Sequence, residues 1–501
     1  MKTIKELTEI VDSYYLQLLT GQLKEFILGV RSDKWSDEEE AAQHFFAESP
    51  HKWRYFGRLK IRAKKLLFAF ALCSSPKKEA TEVIKAHEFC YRQFAISKVL
   101  IGRGAKKEGI KIAESVLKKA RQYEIVDLAF MIIKEMQMDA AIVQGAPKQS
   151  ARLGAEAEEL LNILQAEMKV QQYYCEVVMQ LNSSRIYNNA VKSKIESYLE
   201  AITPYSEIDN SKIRILVYNL QIIHAFANYD YNYKGIVKMC TDALTYFEGK
   251  KSAPASYQFS LLYRKAVALI ALDFNSAADN ILQKAKSIMP VGTFNWNIAH
   301  IYHLICCFHQ GEYQKAYLIY RANQEHIRLP YQSISEQWLI IEAFIKFFIQ
   351  RHHITPKKQV RFRLGKFLNE VPIFSKDKAG NNVNILIIQI LFLLEERKYG
   401  RIIDKLEALE LYVHRYLNKP ETKRAKYFIK MLLKLPTVDF HKAAAIRKTD
   451  SLAKRLRALP IYVNQNLDIE IVPYEVLWDE VLTMLEDKFQ RRSMVRRPAR
   501  V

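Results

Sequence analysis

The segment His300–His309, HIYHLICCFH, concentrates the side chains best suited to chemistry. His300, His303 and Cys307 stand at i, i+3 and i+7, so a helix brings them to one face, with Cys306 and His309 nearby. Imidazole and thiolate are ligands that zinc and other soft cations favour. A single helix rarely supplies a whole tetrahedral site, and the same positions fall where such a helix packs on its neighbours. Packing is the stronger expectation, and neither a metal nor a cofactor is expected.

A second candidate is GRGAKKEG, Gly102 to Gly109, which sets glycines and lysines before a helix starting near Lys106 and could hold phosphate at a helix N-terminus. Phosphate cradles of this kind follow a strand, and none is indicated here, so a solvated linker is expected. The sequence contains no GxxxxGK[ST], HExxH or GxSxG motif and no Gly-rich dinucleotide loop. The chain is therefore not expected to be an enzyme.

The elements that would position these residues are helices. Only 15 Gly and 14 Pro occur among 501 residues, too few for the many tight turns of an all-β chain. Hydrophobic residues make up 49%, enough for a substantial core. Apolar steps of three and four recur along the chain, as in Leu7, Ile10, Val11, Tyr14, Tyr15, Leu18 and Leu19. The only strand-like stretch, Ile461 to Val472, could equally be an extended connection. The most apolar windows, from Gln337 and from Val383, are interrupted by polar residues too soon to span a membrane. Six dispersed cysteines without CxxC suit reduced thiols, and the N-terminal 30 residues lack a signal-peptide pattern; a cytoplasmic location is expected.

Helix pairs become explicit from Trp296, where an apolar helix, a Gly-containing turn and a second helix read WNIAHIYHLICCFHQGEYQKAYLIYRANQEH. Gly311, Tyr313, Ala316 and Tyr320 stand as turn glycine, wedging aromatic, small residue and second aromatic. The segment resembles the tetratricopeptide repeat. The frame recurs at Tyr233, Ile236, Cys240; at Phe274, Ala277, Ile281; and at Tyr399, Ile402, Leu406, with starts 41, 39 and 86 residues apart. Tyr123, Val126 and Phe130 form a weaker version. The spacing exceeds the standard 34 residues, and a HEAT-type hairpin array would share the helical pattern. The expected fold is all-α, a right-handed superhelical array of antiparallel helix pairs, a tetratricopeptide-like α-solenoid. Its expected parts are an N-terminal helical region (1–105), long-helix pairs (106–212), tetratricopeptide-like repeats (213–418), a basic helical cap (419–489) and a basic tail without fixed structure (490–501).

The resemblance implies that the first helix of each pair lines a concave surface. Aligning the frames puts Tyr218, Gln221, Asn228, Tyr229, Phe259, Leu262, Ile301, Ile305, Phe308, Phe344 and Phe348 there, continued by Ile387 and Leu391. So much apolar surface needs covering, by the chain's own terminal helices, by an apolar peptide or by a second copy. Self-coverage is favoured, because long apolar helices remain at both ends.

Net charge is +22, and residues 351–501 hold 31 Lys and Arg against 17 Asp and Glu, a net of +14. Candidate basic-surface residues are Lys357, Lys358, Arg361, Arg363, Lys366, Lys423, Arg424, Arg491, Arg492, Arg496 and Arg497. In His51–Lys65 and Pro356–Lys366 aromatics sit among the cations, which is the composition of a nucleic-acid surface and equally of an amphipathic helix with Trp53, Phe56, Leu59 and Phe362 pointing inward, the favoured reading. The functional expectation is a non-enzymatic interaction scaffold or regulatory adaptor binding a protein or peptide in the repeat groove. The alternative is nucleic-acid or polyanion binding through the basic C-terminal third. No membrane span is expected, and the oligomeric state is open.

Overall fold

The computed structural model describes residues 1–76, 80–184, 189–228, 231–327, 332–356, 381–416, 422–463 and 469–485. Among these the regular structure is helical and no strand occurs; Ile461–Val463 and Ile469–Glu470 run without regular structure. No helix of the described residues is long and apolar enough to cross a membrane. The chain divides into two compact units, Met1–Glu158 and Glu159–Val501. The expected boundaries after residues 105, 212, 418 and 489 therefore fall inside these units.

The first unit contains α1 (Lys2–Ile10), α2 (Ser13–Gln17), α3 (Gly21–Arg31), α4 (Glu38–Phe46), α5 (Lys52–Cys73), α6 (Glu82–Gly102), α7 (Lys106–Gln122), α8 (Val126–Ile142) and the start of α9 (Pro147–Ser184). Asp37 begins α4 by accepting from the amides of Glu39 and Glu40 at 2.9 and 2.8 Å. Glu38, Glu39 and Glu40 then occupy the turn where the helix dipole favours negative charge. Phe26, Phe56, Leu59 and Leu67 bury the apolar stripes of α3 and α5, each contributing about 2 kcal/mol. Gly29 lies against Trp35 so closely that a Cβ would fall 2.3 Å from the indole. Farther along, Ser97 of α6 donates to the buried carbonyl of Gly109 on α7 at 2.7 Å, and a Cβ on Gly109 would meet Ile101 at 2.6 Å.

The second unit continues with α10 (Asn189–Ile202), α11 (Ser211–Ala227), α12 (Tyr233–Phe247), α13 (Ala255–Ala271), α14 (Asn275–Ser287), α15 (Phe294–His309) and α16 (Tyr313–Asn323). It ends with α17 (Gln332–Gln350), α18 (Asn381–Glu395), α19 (Tyr399–Tyr416), α20 (Lys423–Lys434), α21 (Lys442–Ala458) and α22 (Tyr474–Met484). From α10 to α22 each described helix packs on its successor, and α15 also touches α13 and α17. Helix α22 turns back onto α18 and α20.

One turn recurs between helices. Gly104, Glu124, Asp273, Gly311 and Arg397 all have positive φ, between 53° and 92°, and each stands two residues before the next helix. In every case the following residue donates its amide to a carbonyl five residues back, as in Phe274 to Leu269, Glu312 to Cys307 and Lys398 to Leu393, each at 2.9 Å. This left-handed cap satisfies the carbonyls that a helix end would strand. The turns also show where the expected frames fall on the helices. Tyr233, Tyr313 and Tyr399 open their helices as expected. Phe274, however, precedes α14 and is 54% exposed, and the buried positions are Asn275, Ala278 and Leu282. The frame at Phe274, Ala277 and Ile281 is thus one residue early, because the aromatic belongs to the turn and Asn275 takes the wedge position.

Candidate functional site

The histidine–cysteine helix is α15, begun by Thr293, whose hydroxyl accepts from the Trp296 amide at 3.3 Å. His300, His303 and Cys307 are all buried. Two helix neighbours complete the cluster: Asp279 from α14 lies with His303 and Cys307 so that their ligand-type atoms fall within 4.8 Å of one another. Lys286 donates to His303 Nδ1 at 2.7 Å, which leaves the imidazole proton on Nε2, donated to Asp279 Oδ1 at 2.7 Å. Lys315 from α16 donates to the same oxygen at 3.1 Å, and Gln283 to the other at 2.7 Å.

Burial sets the protonation states here. It pushes His303 and His300 down to about 4 and the Cys307 thiol up to about 12. Burial opposes charge on Asp279 as well, but hydrogen bonds from Lys315 and His303 outweigh it and hold the carboxyl below its usual range. Three ligand types on two helices would suit a soft cation, yet two ammonium groups stand beside His303 and Asp279. They supply the positive charge that a metal would bring, and they repel one. With its hydrogen bonds made internally, the arrangement clamps α14, α15 and α16 together.

The residues expected to line the inner face lie in the core or are partly buried. Phe259, Leu262, Ile301, Ile305, Phe308, Phe344 and Phe348 are at most 5% exposed, and Tyr218, Gln221 and Asn228 are half-buried; Tyr229 lies outside the described residues. Ile301, Phe308, Phe344, Phe348, Ile387 and Leu391 share one apolar cluster with Val463, Ile471, Leu477 and Trp478 from the C-terminal segment. Polar contacts fasten that segment. The Val463 amide donates to the Tyr233 hydroxyl at 2.9 Å, and His309 Nε2 to the Glu470 carbonyl at 2.7 Å. Arg351 and His353 reach Glu480 of α22 at 2.9 and 2.6 Å.

Arg424 corrects the expected basic surface. It is 5% exposed and donates to Glu470 at 2.5 Å, to Glu475 at 2.6 Å and to the carbonyls of Leu456 and Leu459 at 2.9 and 2.6 Å. Burial works against its charge, but the two carboxylates prevail and hold the guanidinium above its ordinary value. A cation spent on internal partners is not available to a polyanion. Lys423 beside it is exposed. Lys357, Lys358, Arg361, Arg363, Lys366, Arg491, Arg492, Arg496 and Arg497 lie outside the described residues. In α5, Phe56 and Leu59 point inward as expected, but Trp53 is 53% exposed; Phe362 lies outside the described residues.

A groove between α6, α7 and α8 was not anticipated from the sequence. A cavity of about 360 Å³ there is walled by Ile101, Ile110, Ala113, Met136, Met138 and Ile142, with Lys106 and Lys134 among its lining residues. Lys106 lies 2.7 Å from Asp139, whose carboxyl it holds below the usual range. Along α8, Met131, Met138 and Ile142 are 41, 60 and 71% exposed at i, i+7 and i+11. The clue available in sequence was that these apolar residues follow a second helical stripe, offset from the core stripe of Leu128, Ile132 and Ile133.

The chain matches no protein-family model, no curated protein and no solved structure.

Proposed function

We propose that the chain is a tetratricopeptide-like α-solenoid acting in the cytoplasm as a non-enzymatic interaction scaffold or regulatory adaptor for a protein or peptide. The recurrence of one left-handed turn before successive helices carries this reading. Serial hairpins of one geometry are how repeat proteins build extended binding surfaces. The helical cluster around Asp279, His303 and Cys307 fits the reading, since its polar groups serve one another.

The partner's seat is the α6–α8 groove. Its apolar walls are open, whereas the inner-face residues from Phe259 to Phe348 are closed. Methionine side chains adapt to differing apolar shapes, which suits an amphipathic helix of a partner. A photo-reactive residue at Met138 in the full chain, irradiated in cells of origin, is expected to capture one discrete protein. Ile142→Asp, on an exposed position, should abolish that capture while leaving the melting temperature unchanged. No adduct, or an adduct indifferent to Ile142→Asp, overturns the seat.

The second reading, polyanion binding through the basic C-terminal third, draws on the net +14 of residues 351–501. It predicts nuclease-sensitive association that falls by about one logarithmic unit per phosphate contact for each tenfold rise in salt. The scaffold reading predicts a complex that survives nuclease.

A further inference from the structure

Helix α5 carries seven Lys and Arg and no acidic residue. Lys52 and Lys60 are engaged by Glu39 and Glu38. Arg54, Arg58, Arg62 and Lys65 are exposed, and none of them forms an ion pair among the described residues. Steps of three and four place these cations on one face with Ile61, Phe68 and Leu72, which are 57, 51 and 66% exposed. The face thus grades from cationic at its N-terminal half to apolar at its C-terminal half.

The apolar end is extended by two neighbouring helices. Tyr15 donates its hydroxyl to the Cys73 carbonyl at 3.1 Å and stacks on Phe70, and the Asp12 amide donates to Ser74 at 2.9 Å. These contacts bring the α1–α2 corner to the end of α5, where Ile10, Tyr14 and Leu18 are 56, 60 and 54% exposed. Of the twenty-six large apolar residues exposed among the described residues, seventeen belong to Met1–Glu158. Among the described residues, that unit therefore holds more exposed large apolar side chains than the other.

We propose that the outer face of α5, with the Ile10–Leu18 corner, docks on an anionic lipid bilayer, lying in the interface without crossing it. Charge complementarity selects an anionic partner, because four unpaired cations stand on one face without an intervening carboxylate. The apolar residues favour lipid over nucleic acid: although Tyr14 and Phe68 carry rings, Ile10, Leu18, Ile61 and Leu72 have none to stack on a base and fit the acyl boundary beneath headgroups. Trp53 and Tyr55, exposed at the cationic end, suit the headgroup level.

The test is sedimentation of the full chain with vesicles of phosphatidylcholine containing a quarter phosphatidylserine, against vesicles of phosphatidylcholine alone. Binding is expected to the anionic vesicles only. Neutralising Arg54, Arg58, Arg62 and Lys65 together to Gln should weaken it more than a hundredfold, since each cation near such a surface contributes about fivefold. Phe68→Ser with Leu72→Ser should weaken it at unchanged ionic strength and unchanged circular dichroism. All six positions are exposed, so the fold is expected to tolerate both variants. No binding to the anionic vesicles overturns the proposal. So does binding that survives the fourfold Gln variant, which would place the contact on basic residues elsewhere in the chain. Binding of a single-stranded oligonucleotide that loses affinity in the Gln variant but not in the Ser variant would also overturn it in favour of a nucleic-acid surface.

Discussion

Arg424→Ala removes a cation that is 5% exposed and strands Glu470, whose side chain is 8% exposed. The guanidinium contacts Glu470, Glu475 and two backbone carbonyls, so its loss leaves a buried carboxylate and unsatisfied acceptors together. Breaking a buried pair by removing one partner costs about 3–5 kcal/mol. Glu475 is 25% exposed and can be resolvated, which places the expectation toward the lower part of that range. Burial already pushes the Glu470 carboxyl upward, and without Arg424 only the Tyr474 amide, which donates to it at 3.2 Å, opposes that shift. The carboxyl should then take up a proton and recover part of the loss as pH falls. Urea unfolding at neutral pH should show a midpoint lowered by about 1–2 M, taking a slope of about 2–3 kcal/mol/M. Arg424→Met paired with Glu470→Leu should recover part of the loss, because it removes both charges. An Arg424→Ala midpoint within error of the parent would refute the burial and pairing ascribed to this residue.

Three further outcomes are expected. His300, His303 and His309 are each held near 4 by burial, below the unfolded value. The unfolded chain therefore binds more protons between these values, so stability is full above about pH 6.5 and declines toward pH 4, by up to about 2 kcal/mol per histidine at pH 5; urea titrations at pH 7 and 5 measure it. Of the six free thiols, exposed Cys73 and Cys175 should alkylate in the native protein at pH 8, while Cys90, Cys240, Cys306 and Cys307 should react only on unfolding, as counted by mass spectrometry. Arg397 holds φ at +54°, where a side chain is strained, so Arg397→Gly should raise thermal stability by up to about 1 kcal/mol, and a loss would contradict the turn geometry.

Helix content was legible because apolar spacing and the scarcity of Gly and Pro are local signals. The pairing of Gly311 with Tyr313, Ala316 and Tyr320 gave the register of one hairpin correctly, with Ala316 buried. At Phe274 the same pattern misled, since the turn there is made by Asp273, a non-glycine at φ +62°. Glu124 and Arg397 likewise hold left-handed turns without a glycine to announce them. The polar clamp was half visible: His303 and Cys307 share a helix, but Asp279, Lys286 and Lys315 come from neighbouring helices whose packing no spacing reveals. Arg424 looked like surface because its partners, Glu470 and Glu475, lie some fifty residues away in sequence.

Hydrogen–deuterium exchange on the intact chain tests most directly whether the C-terminal segment closes the apolar cluster of Ile301, Phe308, Phe344 and Phe348. Peptides covering Ile301–Phe308, Phe344–Phe348 and Leu477–Met484 should exchange together and among the slowest, while the outer turns of α8 at Met138–Ile142 exchange earlier. Rapid exchange of Leu477–Met484 while Ile301–Phe308 and Phe344–Phe348 stay protected would show that the segment is not part of that core.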